Sequence, residues 1–267
     1  MKRKNRSIFS LFVLLSLPVS IFGQQGRDEP LKGFASDLSG DVATYPRNAA
    51  KGILSDQLQI WTFPRHLKRK EVLLPTLAVA AATAGLIALV DRPSAGYFGH
   101  TSTFRDLNQT FSGENTKLVM LALPAAYYGL GLVKQDSYAR ETALLAGEAA
   151  LDAQLVTLAA KRITGRLAPP GFREARSDTW FQTSQGAFPS SHTSTAFALA
   201  TVFSQRYRDH KWVPYLAYST AALVGVSTIT QQGHSPSDVF LGAVVGYSIS
   251  RFVVLQRQGR GHWFAMR

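Results

Sequence analysis

Two short polar turns hold the side chains best suited to chemistry. Phe188-Pro189-Ser190-Ser191-His192-Thr193-Ser194 opens into a small, apolar run from Thr195 to Phe203, and His234-Ser235-Pro236-Ser237-Asp238 opens a second. Ser190 or Ser191 can cap the first helix, leaving free backbone N–H groups and the positive dipole end facing whatever lies in front. That arrangement suits an anion. His192 in the first turn adds a proton donor at the same place, so the chemistry suggested is work on a phosphate rather than binding alone. His234 repeats the design, with Asp238 four residues on to orient it. A third stretch, Lys161-Arg162-Ile163-Thr164-Gly165-Arg166-Leu167-Ala168-Pro169-Pro170, is a basic helix end running into a Gly/Pro turn.

Each feature alone has a plainer reading. Ser235 as cap, Pro236 in the first position and Asp238 completing a capping box make an ordinary helix start. Lys161, Arg162 and Arg166 can be a basic flank at a membrane surface. Glu148 and Asp152 share a helix face, with no histidine at helical spacing, and read as a polar seam between helices. His100 and His210 have no companions.

The elements that must position these residues are helices. Val72 to Val90 carries no charge and follows the basic cluster Arg65, Lys68, Arg69, Lys70, so it is the best membrane-helix candidate. A loop from Asp91 to Glu114 leads to a second helix at Leu118 to Val133. The third, Ser137 to Ile163, contains Glu141, Glu148, Asp152 and Gln154 and must face protein or water on one side. Ser194–Tyr207, Val213–Thr228 and Asp238–Leu255 follow, the last with Gly242 and Gly246 at the spacing that lets helix backbones approach. The expectation is an all-α, six-helix, membrane-associated bundle over 71–256 with no strand pattern. Met1 to Gly23, basic and then apolar, reads as a secretory signal. Residues 24–70 read as a loosely packed arm, and 257–267 as a basic tail.

The 267 residues hold no cysteine, which removes disulfides and thiolate chemistry, and the net charge of +12 points to anionic partners. Nucleic acid is disfavoured because the basic residues sit at helix ends beside apolar spans. Charge flanking puts the histidine loops outside if six helices span, whereas a cleaved signal would place residue 24 onward outside as well. Two localisations stay open: the bacterial inner membrane with the site facing the periplasm, or a periplasmic, membrane-associated body.

Lys161, Pro189-Ser190-Ser191-His192 and His234 with Asp238, in that order and separated by helices, resemble the type 2 phosphatidic acid phosphatase and vanadium haloperoxidase superfamily. That family carries a lysine followed by Arg-Pro, then Pro-Ser-Gly-His, then Ser-Arg with a later histidine and aspartate. Here Lys161 and Pro169 keep the first motif, and Ser227, His234 and Asp238 keep the third. The resemblance implies that His234 is the nucleophile, that Asp238 fixes its tautomer, and that His192 protonates the leaving oxygen. Lys161, Ser190 and the backbone at Ser191 would hold the phosphoryl oxygens. The implied substrate is a lipid phosphate or polyprenyl pyrophosphate, and the scheme requires no metal or cofactor.

Two departures stand out. The family's arginine before proline is Ala168, and its arginine after serine is Thr228. Three readings follow: Arg162, Arg166, Arg173 or Arg176 substitutes, Arg166 being the one expected to bind phosphate; the substrate is a less charged diester or a pyrophosphate held elsewhere; or the domain is a catalytically impaired relative that binds anionic lipid or a partner. A vanadate-dependent haloperoxidase would need more positive charge still.

Overall fold

The computed structural model describes residues 51–67, 69–111, 113–174, 179–183 and 186–256. The signal segment, the first part of the arm and the basic tail lie outside them, as do the side chains of Arg173 and Arg176. The described residues contain helices and no strand. From residue 70 onward they run α1 (Lys70–Leu89), α2 (Asp91–His100), α3 (Arg105–Thr110), α4 (Gly113–Val133), α5 (Ser137–Thr164), α6 (Gly171–Glu174), α7 (Ser191–Arg206), α8 (Trp212–Thr230) and α9 (Pro236–Ser248). A π-helical segment, Ile249–Val254, continues α9.

Among the described residues from 70 onward, the expected count of six is therefore corrected to nine. The six long helices are those the apolar runs marked, and the three extra ones are short. Two of these, α2 and α3, occupy the stretch 91–114 that reads as a loop because its Pro93, Gly96 and Gly99 are turn formers. Tertiary contacts override that local signal. Gln232 donates to the Ala95 carbonyl at 2.7 Å, and the Asn108 amide donates to the Thr230 carbonyl at 3.3 Å.

The long helices alternate in direction, so the C-terminal ends of α5 and α8 and the N-terminal ends of α4, α7 and α9 meet at one end. Alternation follows from the short connections, since a turn such as Lys134–Asp136 can only reverse the chain. Asp136 caps α5 by accepting from the Ala139 N–H at 2.9 Å. Gly165 closes that helix at φ 51°, with its N–H on the Lys161 carbonyl at 3.0 Å. A side chain at Gly165 would meet the Thr183 carbonyl at 2.6 Å, so only glycine fits there.

The central element is α7, packed against α5, α8 and α9. Leu145, Ala149, Ala153, Ala198, Val202 and Val254 build the core around it. Gly242 and Gly246 do what their spacing predicts: a Cβ at Gly242 would stand 2.6 Å from the Ser190 carbonyl, and one at Gly246 would collide with the Ser194 carbonyl. This contact brings the N-termini of α7 and α9 together.

Among the described residues, five helical stretches are long and apolar enough to cross a membrane: Lys70–Leu89, Asn115–Val133, Ser137–Thr164, Trp212–Thr230 and Pro236–Val254. Their outer faces expose leucines, among them Leu74, Leu77, Leu118, Leu121, Leu155 and Leu223. In α7, by contrast, Thr193, Ser194, Thr195, Thr201 and Ser204 are buried within the bundle. Gln154 donates to the Thr195 hydroxyl at 2.8 Å, and Ser250 donates to the Ala198 carbonyl at 3.0 Å. Glu148 and Asp152 face the interior, as the polar-seam reading expects. Residues 51–61 are helical. Gln57 donates to Asp152 at 2.8 Å and Ile60 lies against the core, so this part of the arm is docked.

Candidate active site

Ser190 is the N-cap of α7: its hydroxyl accepts from the Thr193 hydroxyl at 3.0 Å and faces the Thr193 N–H at 3.4 Å. Its own N–H donates to the Asp238 carbonyl at 2.9 Å, which ties the two helix starts together. Ser191 begins α7, and His192 follows in the first turn. On the other side, the end of α8 turns through Gln232, at φ 60°, into His234. The Gly233 and His234 N–H groups both donate to the Thr228 carbonyl, at 3.1 and 3.2 Å.

The two imidazoles face each other with ring centroids 6.4 Å apart, inclined at 64°. Neither ring nitrogen of His192 makes a hydrogen bond of good geometry, and the Gly113 backbone acts on the ring as a weak partner. The Gly113 backbone at the start of α4 lies beside it, since a Cβ there would stand 3.9 Å from Nε2. The pKa of His192 is pushed down to about 4, first by burial, then by the charges of His234 and Lys117. Its resting form near neutrality is the uncharged ring.

One carboxylate oxygen of Asp238 faces two groups. Oδ2 accepts from the Ser235 N–H at 2.7 Å, the carboxylate half of a capping box. The same oxygen stands 3.8 Å from His234 Nδ1, beyond hydrogen-bond reach. His234 is 7% exposed and Asp238 fully buried.

Lys161 ends α5, and its charge acts on Asp238 and Lys117. Arg166 has partners other than those expected of a phosphate clamp. Its guanidinium, 2% exposed, donates from Nη1 to Asp238 Oδ1 at 2.7 Å and to the Ser237 hydroxyl at 2.7 Å. Nη2 donates to Asp91 Oδ2 at 2.6 Å. The rings of Trp180, Phe172 and Phe188 surround it, with centroids 4.7, 5.2 and 5.7 Å away. A buried arginine with two carboxylates has its charge neutralised where it sits. It braces Asp238 from behind and does not offer its charge to a ligand.

Asp91 completes the brace. Its oxygens accept from the Ser237 N–H at 3.0 Å and the Ser237 hydroxyl at 2.5 Å, besides Arg166. Sequence reading passed over it, because an aspartate just after an apolar run looks like a helix-end residue. At the departures, Ala168 offers no donor, and the Thr228 hydroxyl turns back onto its own helix, donating to the Gly225 carbonyl at 2.7 Å. Lys117, on α4, also escaped sequence reading, since it belongs to none of the three motifs.

Parts of this chain are similar to known proteins. A lipid A 1-phosphatase of Porphyromonas gingivalis is 33% identical over 108 residues, which is 40% of this chain and 20% of the relative. A lipid phosphate phosphatase 2 of Arabidopsis thaliana is 38% identical over 82 residues, 26% of this chain and 28% of that protein. The matched stretch thus spans less than a third of either relative. A solved structure of a transmembrane PAP2-type phosphatidylglycerolphosphate phosphatase from Bacillus subtilis aligns with a TM-score of 0.38 at 16% identity, covering 78% of this chain and 96% of that one. The sequence model of the PAP2 superfamily matches residues 142–262, the segment that carries Lys161, His192, His234 and Asp238.

Proposed function

We propose that this protein is a PAP2-type phosphatase that hydrolyses a lipid phosphate or polyprenyl pyrophosphate at a membrane, through a phosphohistidine on His234. The observation that carries the reading is the pair of facing imidazoles, 6.4 Å apart at the starts of two helices, with Asp238 behind one of them. Nδ1 of His234 faces the carboxylate, so Nε2 is the nitrogen that attacks phosphorus. The N–P bond forms as the P–O bond to the lipid breaks, and His192 gives its proton to the departing oxygen. Water then attacks phosphorus, His192 takes the proton, and the N–P bond breaks. His192 rests uncharged, so it needs the negative phosphoryl group beside it to hold a proton before it can act as an acid. Lys161, the first N–H groups of α7 and its dipole would stabilise the charge that builds on the phosphoryl oxygens. The site would face the periplasm in a bacterial inner membrane.

Phosphate release by the purified chain in detergent tests this, with phosphatidic acid, phosphatidylglycerol phosphate, undecaprenyl pyrophosphate and a soluble aryl phosphate as substrates. Loss of a nucleophile that acts with its partners as a unit commonly costs about 10⁴-fold or more, so His234→Ala is expected to abolish release. A second reading, an impaired relative that binds anionic lipid, is favoured by Ala168 and by the Thr228 hydroxyl spent on Gly225. Folded wild-type protein that releases no more phosphate than His234→Ala across the panel would establish that reading instead.

A further inference from the structure

If the site handles phosphate, two family charges are missing from it, and Arg166 does not restore them because Asp91 and Asp238 hold it. A further cation comes from a helix outside the three motifs. Gly113, at the start of α4, lies against His192, with a Cβ there 3.9 Å from Nε2. Lys117 is one turn further along the same face, and Met120, on that face again, is buried in the core. The helix is thus fixed with this face toward the site while Lys117 itself is exposed. Its charge acts on both His192 and Lys161, which stand on two other helices. Lys117 therefore flanks the side of the site where a leaving oxygen would be protonated.

We propose that Lys117 is a phosphoryl-binding residue that, paired with Lys161, supplies the positive charge absent at Ala168 and Thr228. A lysine is a point charge on a flexible stem, so it can reach an anion from a neighbouring helix without the fixed fork geometry of arginine. Its place two residues into an apolar span puts the ammonium at the membrane surface, where a lipid headgroup lies. The proposal rests on the phosphatase reading for its substrate, but the charge geometry is independent of turnover.

The test is binding of inorganic phosphate by the full chain in detergent, measured by calorimetry, for wild type, Lys117→Met and Lys117→Arg. Removing one charge-assisted hydrogen bond predicts affinity weaker by about tenfold or more in Lys117→Met, with Lys117→Arg close to wild type. The same variants assayed for turnover should lose kcat/KM in the same order. Equal phosphate affinity in wild type and Lys117→Met, or no phosphate binding by wild type, overturns the proposal. So does an equal loss in both variants accompanied by a lower unfolding midpoint, which would make Lys117 a structural residue. Wild type that binds phosphate, loses it in Lys117→Met and yet releases none from any substrate would sink the phosphatase reading and leave this one standing.

Discussion

The two ends of the bundle each hold an arginine beside an aromatic ring and a carboxylate, and they use it differently. At the end away from the histidines, Arg206 pairs with Glu141 at 2.6 Å and lies over the Tyr138 ring at 3.8 Å. It also donates to the Thr142 hydroxyl at 3.0 Å. One cation meets one carboxylate, and both keep some contact with solvent. Tyr127 and Tyr207 share a buried hydrogen bond of 2.5 Å beside them. At the site end, one guanidinium serves two carboxylates, all essentially dry, while the nitrogens of His192 make no hydrogen bond of good geometry. At the first end the charges are paired in partial contact with solvent. At the second end the charges are paired behind Asp238, and the two imidazoles face each other in front of it.

Breaking the brace should cost most. Arg166→Met leaves Asp91 and Asp238 buried without their cation, and losing one partner of such a group typically costs about 3–5 kcal/mol. Denaturant unfolding in detergent should show this, with turnover lost as Asp238 shifts. A smaller effect is expected from Gly246→Ala, whose new methyl would meet the Ser194 carbonyl and force α9 off α7. Overpacking of this kind costs about 1–3 kcal/mol, and phosphate release should fall because the two histidines move apart. Unchanged kinetics in that variant would show that the helix contact does not set their spacing.

The site end has a pH signature. His192 titrates at about 4 when folded and near 6.5 when unfolded, so on lowering the pH the unfolded chain takes up the proton first. Its contribution to stability is present above about 6.5 and is lost as pH falls toward 4. The expected loss at pH 5 is at most about 2 kcal/mol, and His192→Gln should remove that slope from an unfolding series between pH 4 and 7. The smallest effect belongs to the other end. Glu141→Gln breaks a partly exposed pair and should shift stability by less than about 1 kcal/mol, with phosphate release unaltered. A larger loss there would mean the two ends are more alike than their burial suggests.

Much of this was legible in the chain because it is local. Apolar runs marked the six long helices, Gly165 marked the end of α5, and Gly242 with Gly246 marked a close helix contact. Ser190 and Asp238 announced their caps through residue type and spacing alone. The short helices α2 and α3 were hidden, since what orders them is hydrogen bonding to the turn after α8 rather than their own propensity. Arg166 was legible as a basic residue beside the first motif, and its role was not, because partners 72 and 75 residues away decide which way a guanidinium points.

The sequence by itself determined an all-α chain, the helix starts that bear His192, His234 and Asp238, and the substitution of two expected arginines by Ala168 and Thr228. Those are matters of residue type, periodicity and short spacing, which act within a turn or two of helix. Only the tertiary structure decided that the histidines face each other, that Asp91 and Arg166 stand behind Asp238, and that Lys117 approaches from α4. Charge acts through space and burial sets its strength, and neither is written in the order of residues along the chain.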